Sequence, residues 1–104
     1  MRLVCFEELK RGGGWVPIRG CPGRFILRGG PVSLRPEELL GPDCEPKEFR
    51  VAGALDVIVV AQFVGGGLIS YRKADGTYLH TLNTEEGFER KLAQLGISLT
   101  KSRR

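Results

Sequence analysis

The chain has 104 residues with a formal net charge of +4, 15 glycines, six prolines and three cysteines. This length predicts a single domain over residues 1–104, and ordinary shares of apolar and charged residues exclude global disorder. No apolar run is long enough for a membrane span, and an odd cysteine count is unlike a secreted disulfide framework. We therefore expect a reduced, cytoplasmic protein that has no membrane partner.

The first quarter of the chain predicts a short helix and a hairpin. Residues 2–11 contain good helix formers, although a strand over residues 3–6 is the alternative. Two strands should follow, over residues 15–18 and 24–28. Pro17 lacks a backbone donor, which predicts that the first of these strands lies at a sheet edge.

The middle of the chain alternates between loop and strand signals. Residues 36–40 (PEELL) are typical of one helical turn that begins with proline. A flexible loop is expected at about 41–48, because this segment is rich in polar residues and proline. A short strand should cover residues 49–52. The β-branched run over residues 57–64 predicts a central strand that is buried on both faces.

The last third predicts a hairpin followed by a helix. Strands over 68–73 and 77–82 should be joined by a turn with Gly76 in a left-handed conformation. Asn83 and Glu86 form a capping-box pattern before a helix over residues 84–95. The apolar positions of this helix recur with helical spacing, which predicts a stripe of Phe88, Leu92 and Leu95 facing the core. The tail, residues 100–104, should be frayed.

Together these elements predict an α+β fold with a mainly antiparallel, twisted sheet and the C-terminal amphipathic helix packed on one face. A glycine triplet followed by a spaced arginine occurs twice. Gly12–Gly14 precede Arg19, and Gly65–Gly67 precede Arg72 at the same spacing 53 positions later. The repeat suggests a duplicated hairpin-plus-helix unit, although the two hairpin turns differ in chemistry.

Residue pairing across the second hairpin predicts a binding surface. The turn places Arg72 opposite Tyr78 and Ser70 opposite His80, with all four side chains on the face that is exposed to solvent. A similar count would place Arg19 beside Phe25. Guanidinium groups next to aromatic rings can contact phosphates and stack on bases. The predicted binding residues are therefore Arg19, Phe25, Ser70, Arg72, Tyr78 and His80.

No catalytic, metal or cofactor site is predicted. His80 next to Ser70 lacks an orienting acid, so catalysis by His80 is only the third hypothesis for function. The three cysteines, Cys5, Cys21 and Cys44, have no Cys-x-x-Cys spacing to anchor a metal.

The leading hypothesis is a small non-enzymatic binding module for nucleic acid. The basic charge is spread along the chain and forms no continuous stripe, so it permits this partner without requiring it. The alternative is a protein-interaction or homodimeric domain that uses Trp15, Phe25 and the edge strand near Pro17.

Overall fold

The computed structural model describes residues 5–41 and 44–99. Its helices and strands follow one another in the order α1 (Phe6–Arg11), β1 (Trp15–Pro17), β2 (Arg24–Leu27), α2 (Pro36–Leu40), β3 (Lys47–Arg50), β4 (Val57–Phe63), β5 (Gly66–Arg72), β6 (Tyr78–Thr84) and α3 (Glu85–Leu95). The expected frayed tail, residues 100–104, lies outside the described residues, as do residues 2–4 of the predicted N-terminal helix.

All six strands form one antiparallel sheet in the order β1-β2-β6-β5-β4-β3. The predicted α+β class is confirmed, because α3 packs on one face of this sheet. The β1 strand lies at the edge, as the missing donor of Pro17 predicts. The opposite edge is β3, which begins at Lys47 and so shortens the loop predicted over residues 41–48. Residues 42 and 43 of that loop are not described.

The β5–β6 hairpin has the predicted register. Ser70 pairs with His80, and Arg72 pairs with Tyr78. Asp75 organises the turn, since its carboxylate accepts hydrogen bonds from the backbone amide and hydroxyl of Thr77. Gly76 has a φ of 90°, a value that suits glycine.

The helix face of the sheet carries the larger core cluster. Phe88 and Leu92 of α3 pack against Ile58, Val60 and Ile69. The residues of β4 from Val57 to Ala61 are all buried, which confirms a strand covered on both sides.

The start of α3 differs from the predicted capping box by one residue. Thr84 is the N-cap, and its hydroxyl accepts a hydrogen bond from the amide of Gly87 at 3.2 Å. Asn83 is fully buried instead, because its amide group is bonded within the sheet. The helix ends at Leu95, as predicted, and Gly96 follows it in a left-handed conformation.

The second face of the sheet is covered by the N-terminal half of the chain. Phe6 of α1 is buried, and Leu40 of α2 packs against Ala61 and Leu68. The residues between β2 and α2 also reach β6, where Val32 and Tyr78 exchange backbone hydrogen bonds of 2.9 and 2.7 Å. The sheet is therefore the middle of three layers.

The suggested duplication is not confirmed. Gly12 ends α1, whereas Gly66 and Gly67 lie within β5. In the first hairpin Phe25 pairs with Pro17, and Arg19 lies in the connecting turn. Within the described residues, no helix is long and apolar enough to cross a bilayer.

Candidate functional site

The predicted Arg/aromatic surface is not open to solvent. Ser70 and His80 are 0% exposed and Tyr78 is 8% exposed. The prediction that these three residues share one face is correct, but the prediction that this face is exposed to solvent is wrong. The segment before α2 contacts them, since the Leu34 carbonyl lies against His80 and Val32 pairs with Tyr78. Sequence reasoning did not predict this covering layer.

The buried Ser70–His80 pair has a complete set of hydrogen bonds. His80 Nε2 lies 2.7 Å from the carbonyl oxygen of Leu34, which can only accept, so Nε2 carries the proton. Nδ1 of the neutral ring then accepts from the Ser70 hydroxyl at 2.6 Å. The Tyr78 ring stacks on the imidazole with centroids 5.6 Å apart. The Leu34 carbonyl occupies the position that an orienting carboxylate would have in a catalytic triad. The hydrogen-bonded Ser70–His80 pair is therefore suited to stabilising the fold.

The stability of the protein should depend on the charge state of His80. Burial lowers the pKa of His80, and the hydrogen bond to the Leu34 carbonyl opposes this only in part. Below about pH 6.5 the unfolded chain therefore binds a proton that the folded chain resists, and stability falls as pH falls. As pH falls below about 6.5, we expect wild-type protein to lose more stability than His80→Gln, by at most about 1.4 kcal/mol per pH unit.

Urea unfolding of both proteins at several pH values measures this difference. Glutamine can keep a donor toward Leu34 and an acceptor toward Ser70 but does not titrate. The variant therefore separates the effect of protonation from the effect of losing these hydrogen bonds. Parallel stability curves for the two proteins would contradict a neutral, buried His80.

Arg72 is engaged within the chain. Its guanidinium donates to a Glu48 carboxylate oxygen at 3.1 Å. A side-chain hydrogen bond with Tyr78, followed by the interaction with Glu48, raises the pKa of Arg72. The predicted cross-strand neighbours do meet, but as a structural contact between partly covered groups.

Arg19 and Phe25 do not form the predicted pair. Phe25 packs against the Phe6 ring with centroids 6.0 Å apart, and the Lys10 ammonium lies 5.1 Å from its centroid. Arg19 is exposed in the turn between β1 and β2. The six predicted binding residues therefore do not form one surface.

A different group of cations converges at the other end of the sheet. A cleft of about 100 Å³, here called the basic cleft, lies between the β1–β2 turn and α3. It is lined by Gly20, Cys21, Pro22, Arg24, Gly87, Arg90, Lys91 and Gln94. Three of these described residues are cationic and none is acidic, which makes the cleft a candidate anion site.

The turn closes on α3 because two glycines allow it. Gly23 has a φ of 79°, and the Arg24 amide donates to the Cys21 carbonyl at 3.1 Å, which fits a type II turn with Pro22 and Gly23 at its centre. A Cβ on Gly87 would lie 2.7 Å from the Gly23 carbonyl oxygen. The Gly23 carbonyl also accepts from the Thr84 amide at 2.8 Å. This close approach fixes the width of the cleft.

Arg24 is held in place without being neutralised. Its Nε donates to Asn83 Oδ1 at 2.8 Å, and Nη2 donates to Thr81 Oγ1 at 3.4 Å. Asn83 is itself fixed, since its amide nitrogen donates to the carbonyls of Gly67 and Thr81 at 3.2 and 3.0 Å. Among the ion pairs between described residues, none involves Arg24. The guanidinium keeps its full charge and a restricted orientation.

The two cations from α3 are similarly available. Lys91 is absent from the ion pairs of the described residues, and Arg90 lies 3.9 Å from Glu86, whose side chain is 87% exposed. Such an exposed pair contributes little. Sequence reasoning missed all three cations of the cleft, because Arg24 is far along the chain from Arg90 and Lys91.

The β3 end of the sheet carries an apolar groove of about 380 Å³. It is lined by Val51, Ala54, Leu55, Asp56, Ile58, Tyr71 and Leu95. Leu55, at its rim, is 98% exposed. Apolar exposure of this kind is a feature of interaction surfaces.

Other candidate chemistry is absent from the described residues. Among residues 5–41 and 44–99, no three His, Cys, Asp or Glu side chains gather as metal ligands. Cys5, Cys21 and Cys44 are free thiols, and burial raises the pKa of Cys44.

Comparisons with known proteins do not add a candidate function. No family model matches the chain, and neither the curated proteins nor the solved structures yield a match. The basic cleft and the apolar groove are therefore the features of this protein that bear on its function.

Proposed function

We propose that this protein is a small non-enzymatic module that binds nucleic acid through the basic cleft. The observation that carries the proposal is the convergence of Arg24, Arg90 and Lys91 on one cleft, with no carboxylate among the described residues that line it. Three cations held close together repel one another, and an anion between them relieves that repulsion. The buried sheet face that carries Ser70, Tyr78 and His80 is not part of this binding surface.

The chemistry of the cleft favours the phosphate backbone over the bases. Arg24 presents a guanidinium already oriented by Asn83, and a guanidinium matches two phosphate oxygens at once. The cleft suits one anionic group, and its described lining residues include no aromatic side chain for stacking on a base. Arg19, exposed in the adjoining turn, can add a neighbouring phosphate contact. Binding should therefore depend little on nucleotide sequence.

Charge reversal in the basic cleft tests this proposal. Arg90→Glu/Lys91→Glu should weaken binding to a dye-labelled single-stranded oligonucleotide by at least about tenfold, measured by fluorescence anisotropy. The slope of log affinity against log salt should become shallower by about 1 to 2. A labelled duplex of the same sequence shows which form of nucleic acid is preferred.

The matched control is Arg28→Glu/Lys47→Glu. Both of these side chains are exposed, and the variant changes net charge by the same amount outside the cleft. We expect it to bind within about threefold of wild type at moderate salt, where distant charges are screened. Equal losses in the two variants, or wild-type binding too weak to detect, would contradict the proposal.

A reduced, cytoplasmic setting is part of the proposal. The three cysteines are free thiols, which suits a compartment that keeps thiols reduced. Catalysis is not part of it, because His80 and Ser70 are bonded to groups within the fold and lie out of reach of a substrate.

The second candidate function is protein interaction, and one observation favours it. Leu55 and the apolar groove expose apolar surface next to the β3 edge. Trp15 and Phe25 are less suitable for a dimer contact, because both side chains have partners within the fold. The Trp15 indole donates to the Leu9 carbonyl at 3.1 Å, and Phe25 packs on Phe6.

A further inference from the structure

The two edges of the sheet differ in their capacity to accept another strand. The β1 edge has three residues, and Pro17 contributes no amide donor. The β3 edge, Lys47–Arg50, has four residues that each carry a backbone donor and acceptor. One side of β3 pairs with β4, and in the described part of the chain no strand lies on its other side. The β3 edge is therefore the better template for pairing.

We propose that two copies of this chain associate by antiparallel pairing of β3 with β3, with Phe49 opposite Phe49. The two sheets would then continue as one sheet across a two-fold axis. Such an interface uses the same residues on both copies. The proposal is independent of nucleic-acid binding, because the basic cleft is lined by the β1–β2 turn, Arg24 of β2 and α3, and none of its lining residues belongs to β3 or β4.

Geometry restricts the registers that such a pair can adopt. A two-fold axis between antiparallel strands of one sheet is perpendicular to the sheet, so each side chain opposes one on the same face. Side chains alternate between faces, and the axis must therefore pass beside one residue and its own copy. Within β3 this leaves four registers, centred on Lys47, Glu48, Phe49 or Arg50.

The charges of β3 select among these registers. Centring the pair on Lys47, Glu48 or Arg50 places that charge opposite its own copy. Centring on Phe49 instead places Glu48 opposite Arg50 twice, once on each side of the axis. The same charges that deter pairing with an unrelated strand are therefore self-complementary in one register.

The environment of these side chains supports that register. Phe49 packs on the α3 face beside the cluster of Ile58 and Ile69, so two opposed rings would extend both cores. Arg50 is exposed and is absent from the ion pairs of the described residues. Glu48 is 59% exposed in its pair with Arg72 and retains a second carboxylate oxygen.

The proposed interface combines the short, polar β3 strand with the apolar surface beside it. The apolar groove and Leu55 follow directly after β3, so apolar surface lies beside the paired strands. A four-residue edge buries less area than a standard stable interface. We therefore expect a reversible dimer with a dissociation constant on the order of micromolar or weaker.

Charge reversal and its compensation test the register. Sedimentation equilibrium over a wide concentration range should show the wild-type mass rising toward twice that of the monomer. Glu48→Arg or Arg50→Glu alone replaces both opposite-charge pairs with like-charge pairs, and each should weaken association by about tenfold. The double variant Glu48→Arg/Arg50→Glu restores both pairs and should return to within about threefold of wild type.

Controls separate pairing from folding and from net charge. Circular dichroism reports whether each variant is folded, since Glu48→Arg also loses the contact with Arg72. Arg28→Glu gives the same charge change as Arg50→Glu away from β3 and should leave association unchanged. A wild-type protein that stays monomeric at the highest concentration would overturn the proposal. So would a folded double variant that associates no better than the single variants.

Discussion

Replacing Gly67 by alanine should lower the free energy of unfolding by about 2 to 3 kcal/mol, because the new methyl group would enter the ring of Phe88. Gly67 lies in β5 under α3, and a Cβ there would overlap three atoms of that ring. Phe88 is 1% exposed and is packed against Ile58 and Ile69, so the ring has no space to withdraw. Urea denaturation measures the change.

A double-mutant cycle isolates this contact. Phe88→Leu removes the ring edge that meets Gly67, so Gly67→Ala should cost clearly less in that background. Gly12→Ala is the matched control, since Gly12 has a φ of −61° and lies at the exposed end of α1. We expect that control to be close to wild type. Strict additivity of Gly67→Ala and Phe88→Leu would show that the ring does not limit the site.

Asn83→Ala should cost about 3 kcal/mol and should also weaken the basic cleft. The substitution removes the buried amide that donates to the carbonyls of Gly67 and Thr81 and accepts from Arg24. A buried polar group that loses its hydrogen-bond partner costs about 1–3 kcal/mol of stability. A hydrogen bond to a charged group, such as the Arg24 guanidinium, is stronger than one between neutral groups. Without this acceptor the Arg24 guanidinium should no longer be oriented toward a ligand.

Thermal and urea unfolding measure the stability of the Asn83 variant, and anisotropy at a temperature where it is folded measures binding. Gln94→Ala is the control, because Gln94 also lines the cleft but is exposed. We expect it to lie within about 0.5 kcal/mol of wild type. A stable Asn83→Ala protein with unchanged binding would show that Arg24 does not need this partner.

The parts of the fold that could be predicted from sequence are those fixed by neighbouring residues. The turn at Asp75 and Gly76 sets the β5–β6 register, and the helical spacing of Phe88 and Leu92 sets the inner face of α3. Pro17 excludes β1 from the sheet interior. Each of these depends on contacts that are local in the chain or on the chemistry of one residue.

The burial of the second face could not be predicted in this way. Alternation assigned His80 and Ser70 to one face, and their polarity suggested solvent. The structure satisfies their polar atoms internally, partly through the Leu34 carbonyl, 46 positions before His80. A polar face can therefore be an inner face when its hydrogen bonds are complete. The predicted N-cap residue was wrong for a related reason. Asn83 and Thr84 are both good N-cap residues, and only tertiary contacts decide between them.

The basic cleft could not be predicted from the sequence, because its cations come from segments that are far apart in the chain. Arg24 follows the first turn, whereas Arg90 and Lys91 lie in the last helix. Their convergence depends on the pairing of β2 with β6 and on the close contact of Gly23 with Gly87. Neither contact leaves a periodic pattern in the sequence.

The way in which Arg24, Arg90 and Lys91 come together also couples ligand occupancy to folding. An unfolded chain separates Arg24 from Arg90 and Lys91 and has no comparable affinity for a phosphate, so any molecule that bridges them shifts the equilibrium toward the native state. At a ligand concentration one hundred times the dissociation constant the shift is about 2.7 kcal/mol. The melting temperature thus becomes a direct readout of occupancy, even for a ligand whose identity is not known beforehand.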